Sequence, residues 1–401
     1  MRTRAVADVG RRWLLGRNGR AASKAVSESD IRELAVESAR SEGIEWLPGH
    51  PVINEVDPHT FNYSLEAPVL DRYRSFCEID HAWRFSSLQP CIRAADFRRW
   101  RKCRDRTHIA AFTIWAVDYH LRPRAEDLAA IHRDSIRRLW TVLVEKLGLN
   151  PRRMEVLYFD GAQLSEALGL ALEDDFYVEP DRVTRETFLD LGLPRRNLFG
   201  LSTPETFLAQ FPVPVDFWAG YRYEVMYRYG RSDCAVEVAT GEALNFRRVV
   251  VNGRMARIDR LNGSVAACVI GVERVLMARD GLEDIYATEP LQTVATVLER
   301  ATAKRNTVVV NQMSDAIRAV ARIVADGGVY RALNRSLRSD LNGFWRALHE
   351  GARELGVSDE AMEQAFRANA QRQPWYPELQ ETVPLCVLEL SEYRNRRLHR
   401  G

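Results

Sequence analysis

Arginines placed to meet a phosphate are the first chemistry this chain offers. Cys91-Ile92-Arg93-Ala94-Ala95-Asp96 and, after a polar loop, His108-Ile109-Ala110-Ala111-Phe112 read as strand, loop, strand. An arginine leaving a strand can clamp a phosphate bidentately through its planar guanidinium. A phenylalanine on the return strand offers a face on which a purine stacks. The loop between them carries Arg98, Arg99, Arg101, Lys102, Arg104 and Arg106, which suit a β- and a γ-phosphate. A solvated basic hairpin is the competing reading. A second run, Cys268 to Met277 (CVIGVERVLM), takes an apolar strand into Gly271 and then a helix opening on Glu273-Arg274. Gly271 lets the backbone approach a ligand closely, and Arg274 on the first turn points back at it. Alone, that pattern is also the ordinary start of a helix with exposed charges.

Other phosphate and catalytic devices are missing. There is no GxxxxGK[ST] loop, no GxGxxG after a strand and no GxSxG elbow. The six cysteines form no CxxC pair and the eight histidines no HxxxH or HExxH spacing, so no protein-bound metal is expected.

Several elements must position the arginines. Ser27–Ser41 reads as a capped amphipathic helix, and residues 44–100 as short strands and loops. Glu126–Leu147 is an amphipathic helix that stops before Pro151, and Met154–Asp160 a strand. From Tyr221 to Val251 the apolar alternation predicts an antiparallel meander, with turns at Gly230–Asp233 and Thr240-Gly241-Glu242. Past Pro290 helical spacing takes over, at Leu291–Ala303, Ser314–Asp326, Leu341–Leu355 and Glu360–Ala370. The expected fold class is α+β: an antiparallel six- or seven-stranded sheet flanked by helices, followed by a helical domain. The division is a basic extension over 1–26, a catalytic domain over 27–290 and a helical domain over 291–401.

Composition sets wide bounds. The 401 residues are 46% hydrophobic and 28% charged, with a net charge of +2, which points to no particular partner. No run of 18 apolar residues occurs, so no membrane span is expected. Unpaired cysteines and the lack of an apolar leader suggest a reducing, cytoplasmic setting. The arginines at 394, 396, 397 and 400 read as a solvated tail.

Taken together, in this order and separation, the two arginine runs resemble motifs 2 and 3 of class II aminoacyl-tRNA synthetases. Gln89-Pro90-Cys91-Ile92-Arg93-Ala94-Ala95-Asp96 is similar to the Q-P-C-I-R-x-x-D run of the alanyl-tRNA synthetases. Ser29–Glu33 resembles the opening helix of that family and Asp57–Phe61 its motif 1. Asp216-Phe217-Trp218 resembles its N-F-W, and Glu242–Phe246 its E-I-W-N-L. Ser314–Arg318 and Ile323–Gly327 resemble its D-H-I-R-A and I-A-D-G helices. The resemblance covers about residues 27–330, patchily. No editing domain matches.

The resemblance implies activation of an amino acid, a small one such as alanine, by ATP and Mg²⁺ to an aminoacyl adenylate. Transfer to tRNA through the helical domain would follow. Alternatives are transfer to a carrier protein or a small amine, or a non-catalytic regulator that binds tRNA or nucleotide. Oligomeric state stays open. Arg93 would clamp the α-phosphate, Arg274 the γ-phosphate, and Phe112 would stack on adenine. Asp96, His108 and Glu273 would border the nucleotide. Trp218 and Asn245 would line the amino-acid pocket, with Asp259 or Glu224 taking the ammonium. The motif 2 return strand lacks the acid that the family carries there.

Overall fold

The computed structural model describes residues 26–53, 60–62, 64–65, 69, 80–103, 106–124, 127–209, 217–230 and 234–398. Outside it lie the basic extension up to residue 25, most of Asp57–Phe61, Asp216, the Arg231–Asp233 part of the expected turn, Arg104 and Arg400. The side chains of Arg99, Arg101 and Lys102 lie outside it too.

Helix α1 (Glu28–Ser41) starts where the sequence predicts. Ser27 and Asp30 form a reciprocal capping box, each side chain accepting from the other's backbone N–H. Strands β1 (Glu45–Leu47) and β2 (Trp83–Ile92) lead into α2 (Ala94–Cys103) and β3 (Ala111–Arg122). The sequence predicts a loop where α2 forms. Its charged residues are compatible with helix as well as loop, and propensity alone does not separate the two. Then come α3 (Leu128–Trp140), β4 (Met154–Phe159), β5 (Ala162–Gln163), α4 (Leu164–Leu168), β6 (Tyr177–Val178), α5 (Arg182–Asp190), β7 (Leu198–Leu201) and β8 (Phe207–Leu208). The long strands β9 (Phe217–Arg228), β10 (Ala235–Val251) and β11 (Arg254–Gly271) follow, and β11 runs straight into α6 (Val272–Arg279).

The rest is helical: α7 (Glu289–Arg300), α8 (Thr307–Ala325), α9 (Arg335–Leu355), α10 (Asp359–Gln371), α11 (Pro377–Glu381) and α12 (Val383–Leu398).

The fold is α+β, but the sheet differs from expectation. Nine strands join in the order β1-β2-β3-β11-β10-β9-β4-β7, with β8 beside β9. The run from β2 to β4 is antiparallel, as the meander predicts. The outer pairs β1–β2 and β4–β7 are parallel, so the sheet is mixed. Each of these pairs is joined by a long connection, which a parallel return requires. Alternation within a strand says nothing about its partner's direction.

Thr240-Gly241-Glu242 is no turn; it lies inside β10. Gly241 is there because the Tyr223 ring lies across it: a Cβ would sit 2.1 Å from that ring. The real reversal between β10 and β11 is Asn252-Gly253, with φ of 52° and 74°, a pair suited to a tight hairpin.

One face of the sheet buries Trp115, Tyr223, Val225 and Cys268 under Ile136 and Leu139 of α3. The other face holds a smaller cluster with Phe85, Ile114, Trp218 and Leu244. A third core lies among α7–α12, around Ile317, Leu341, Trp345 and Phe366. It reaches back to Phe97, Ala110 and Ala111 beside the expected nucleotide residues.

Candidate active site

A cavity of about 190 Å³ opens at one end of the antiparallel strands. Its walls bring together Arg93, Asp96, His108, Phe112, Glu273 and Arg274, six residues expected at the nucleotide. The topology explains this. The start of β3 lies between the ends of its antiparallel neighbours β2 and β11, so the residues that follow β2, open β3 and follow β11 all meet there.

Arg93 is the single residue between β2 and α2. Its N–H donates to the Ala110 carbonyl at 2.9 Å, and its carbonyl accepts from the Asp96 N–H at 3.0 Å. The guanidinium lies 4.8 Å from the centre of the Phe112 ring, within cation–π range. A planar cation and an aromatic face therefore border one space. Arg274, on the first turn of α6, lines the same cavity. Its Nε donates to the Thr107 carbonyl at 3.2 Å and its Nη1 to Glu237 Oε2 at 3.1 Å. His108 Nδ1 lies 3.1 Å from the Thr107 hydroxyl.

The floor is charged. Burial works against ionisation of Glu237, yet Arg274 and the Thr240 hydroxyl hold its carboxyl below the ordinary range. Burial pushes the Glu242 carboxyl up, with Arg222 pulling it back. Glu224, on β9 beside β10, is outside the cavity lining and pairs with the lining residue Arg222 at 3.2 Å. Burial and then the like charge of Glu237 push Glu224 up to about 7, against Arg222.

Glu273 borders the cavity with a carboxylate that is already engaged. Oε1 accepts from Arg318 Nη2 at 2.5 Å, and Oε2 from the Thr113 N–H at 3.0 Å. Burial raises its pKa and the Arg318 guanidinium opposes the rise. Both oxygens are thus committed within the protein.

The expected amino-acid residues do not line the cavity. Trp218 is 2% exposed, inside the apolar cluster on the face of the sheet away from α3. Asn245 sits in a bulge of β10, skipped in the pairing with both neighbouring strands. A bulge re-aims its residue relative to plain alternation. Asp259 is far along the hairpin, opposite Arg247, where Arg257 and Arg247 bond it at 3.0 and 3.3 Å. Burial raises the Asp259 carboxyl and those two arginines more than offset it. Of the expected ammonium partners only Glu224 joins the charge cluster.

Arg222, Glu237 and Thr240 are functional candidates that sequence reasoning misses. Their signal is a charged or polar residue interrupting an apolar strand, in YRYEV and CAVEVAT. Without the pairing of β9 with β10, solvent exposure accounts for them equally well.

Among the described residues no three His, Cys, Asp or Glu side chains gather as a metal site, and no helix is long and apolar enough to cross a membrane. No family model and no curated protein matches the chain. Among solved structures, one described as an aspartyl-tRNA synthetase from Leishmania major Friedlin aligns with 64% of this chain. The identity is 11% and the TM-score 0.28, and the chain spans 62% of that protein's length. A likeness of that size carries no weight, and the residues of the cavity are the guide to function.

Proposed function

We propose that the cavity binds ATP and activates an amino acid as its adenylate. The observation that carries this reading is the meeting of Arg93, Phe112 and Arg274, from three separate runs of sequence, on one cavity. Phe112 offers the surface for adenine. Arg93 and Arg274 supply fixed positive charge for the triphosphate, where charge develops during attack. A carboxylate oxygen of the amino acid attacks the α-phosphorus in line. The bond from that phosphorus to the bridging oxygen breaks, and pyrophosphate leaves. Holding both reactants in one cavity supplies much of the rate.

Mg²⁺ takes one or two carboxylates together with phosphate oxygens and waters. Glu237 and Glu242 at the cavity fit that need, and the ion would neutralise phosphate charge. The amino acid is proposed to be a small one such as alanine. Glu224, which pairs with the lining residue Arg222, is the proposed partner of its ammonium. The acceptor is proposed to be tRNA; a carrier-protein thiol or a small amine is the alternative.

The test is ATP–pyrophosphate exchange with a panel of amino acids, followed by transfer to added tRNA or a carrier protein. Exchange with one small amino acid supports the reading. Absence of exchange with every amino acid, in protein that binds ATP, leaves a nucleotide-binding regulator instead.

A further inference from the structure

We propose that Asp315 and Arg318, on helix α8 of the C-terminal region, are positioning residues that hold both arms of the cavity in place. This rests on the nucleotide reading. The two residues are three apart and share one helix face. They grip the backbone and side chains next to Arg93, Phe112 and Arg274.

Asp315 is 0% exposed. Its two oxygens accept from the Ala110 and Ala111 N–H groups at 2.8 and 3.0 Å. Ala110 is the residue whose carbonyl accepts the Arg93 N–H. One carboxylate therefore fixes the entry to β3 and, through one peptide, the residue that leaves β2. Arg318 donates to Glu273, and the other oxygen of Glu273 accepts from the Thr113 N–H. Thr113 follows Phe112, and Glu273 precedes Arg274. Each residue assigned to ATP thus has a neighbour or hydrogen-bond partner tied to α8.

The expense of this arrangement argues for a purpose beyond packing. A buried ion pair often stabilises no more than apolar residues of the same volume. Burial raises the Asp315 pKa to about 6 in spite of its two amide bonds. The same buried layer contains Glu28, which accepts from Arg372 at 2.6 Å and from the Thr113 hydroxyl at 3.2 Å. An apolar contact holds surfaces together but tolerates sliding. A carboxylate bonded to two consecutive amides fixes register, and a site that must place two guanidiniums within a fraction of an ångström needs register.

The experiment compares D315N and R318K with L348A in the full chain. Leu348 is a fully buried residue of α9 in the same core as α8, so its truncation removes packing but no hydrogen bond of the grip. Four quantities are measured: melting temperature, amide hydrogen exchange over residues 110–113, and the ATP KM and kcat of pyrophosphate exchange. Asparagine keeps one acceptor but turns its NH₂ toward a backbone N–H. D315N is expected to speed amide exchange at 110 and 111 by at least about tenfold. It should also raise the ATP KM by at least about tenfold while kcat changes far less, the size expected for one hydrogen bond to a charged group. R318K is expected to raise KM in the same direction by less. L348A should lower the melting temperature without changing KM. Wild-type amide protection and KM in D315N would overturn the proposal, as would an L348A KM raised as far as that of D315N. Wild-type protein that fails to bind ATP refutes the nucleotide reading, and amide exchange then decides the grip by itself.

Discussion

The strands β9 to β11 carry clusters of charge at both ends, and the ratio of acids to bases differs between them. At the hairpin end one carboxylate, Asp259, faces Arg247 and Arg257. It is over-supplied with positive charge and its pKa is held down. At the cavity end Glu224, Glu237 and Glu242 share Arg222 and Arg274. Only Glu237 is held down there; the other two are pushed up. The same residue types on the same strands thus give a satisfied cluster and an unsatisfied one. An under-compensated carboxylate cluster is what a bound ammonium would relieve. Perturbed groups gathered in a cleft are a mark of function, and the hairpin cluster has no such mark.

The contrast is broken most severely at the arginines. R93A and R274A should each lower pyrophosphate exchange by at least about tenfold. Each removes a hydrogen bond to a charged group worth about 1.5–3 kcal/mol. Normal exchange in both variants would end the assignment.

A smaller effect comes from the strand that joins the two ends. G241A forces a methyl group against the buried Tyr223 ring. Overpacking of this kind costs about 1–3 kcal/mol, to be read from the urea midpoint.

The pH dependence of amino-acid binding should follow Glu224, which Arg222, Glu237, Glu205 and Arg274 surround. If its carboxylate receives the ammonium, the amino-acid KM falls as pH rises and levels off above about 7. The sign for stability is the reverse. A carboxyl raised from 4.5 to about 7 stabilises the fold below 4.5, and that contribution is lost as pH rises through 7. E224Q should flatten both profiles, and a KM that keeps its slope in E224Q removes Glu224 from the role.

The least change is expected at the hairpin. D259N should leave exchange and melting temperature almost untouched, since ion pairs still open to solvent contribute about 0–1 kcal/mol. A marked loss of exchange there would erase the distinction between the two ends.

Much of the arginine-bearing end of the cavity is legible in sequence. Arg93, Phe112 and Arg274 sit in short runs whose residue order states strand, turn and helix start, and strand order then brings them together. The amino-acid end is not. Trp218 lies within an apolar core, Asn245 in a bulge, and Asp259 many residues along the hairpin; each depends on register, which local alternation does not encode. The helix at Ala94–Cys103 is hidden for a related reason, because its polar residues suit a loop as well. The role of Glu237 emerges only once Arg274 is seen to reach it across the strands.

The contacts of Asp315 with Ala110 and Ala111 join residues 205 and 204 positions apart. Contacts of such separation close late, after more local structure has formed. During synthesis the chain emerges from its N-terminal end. Every residue assigned to ATP is therefore made before the helix that steadies them. A ribosome-bound chain halted shortly after Met277 would carry both arginines and still lack a competent site. The protein should acquire its activity only when α8 has left the ribosome and docked, so a shortened product of translation would not consume ATP.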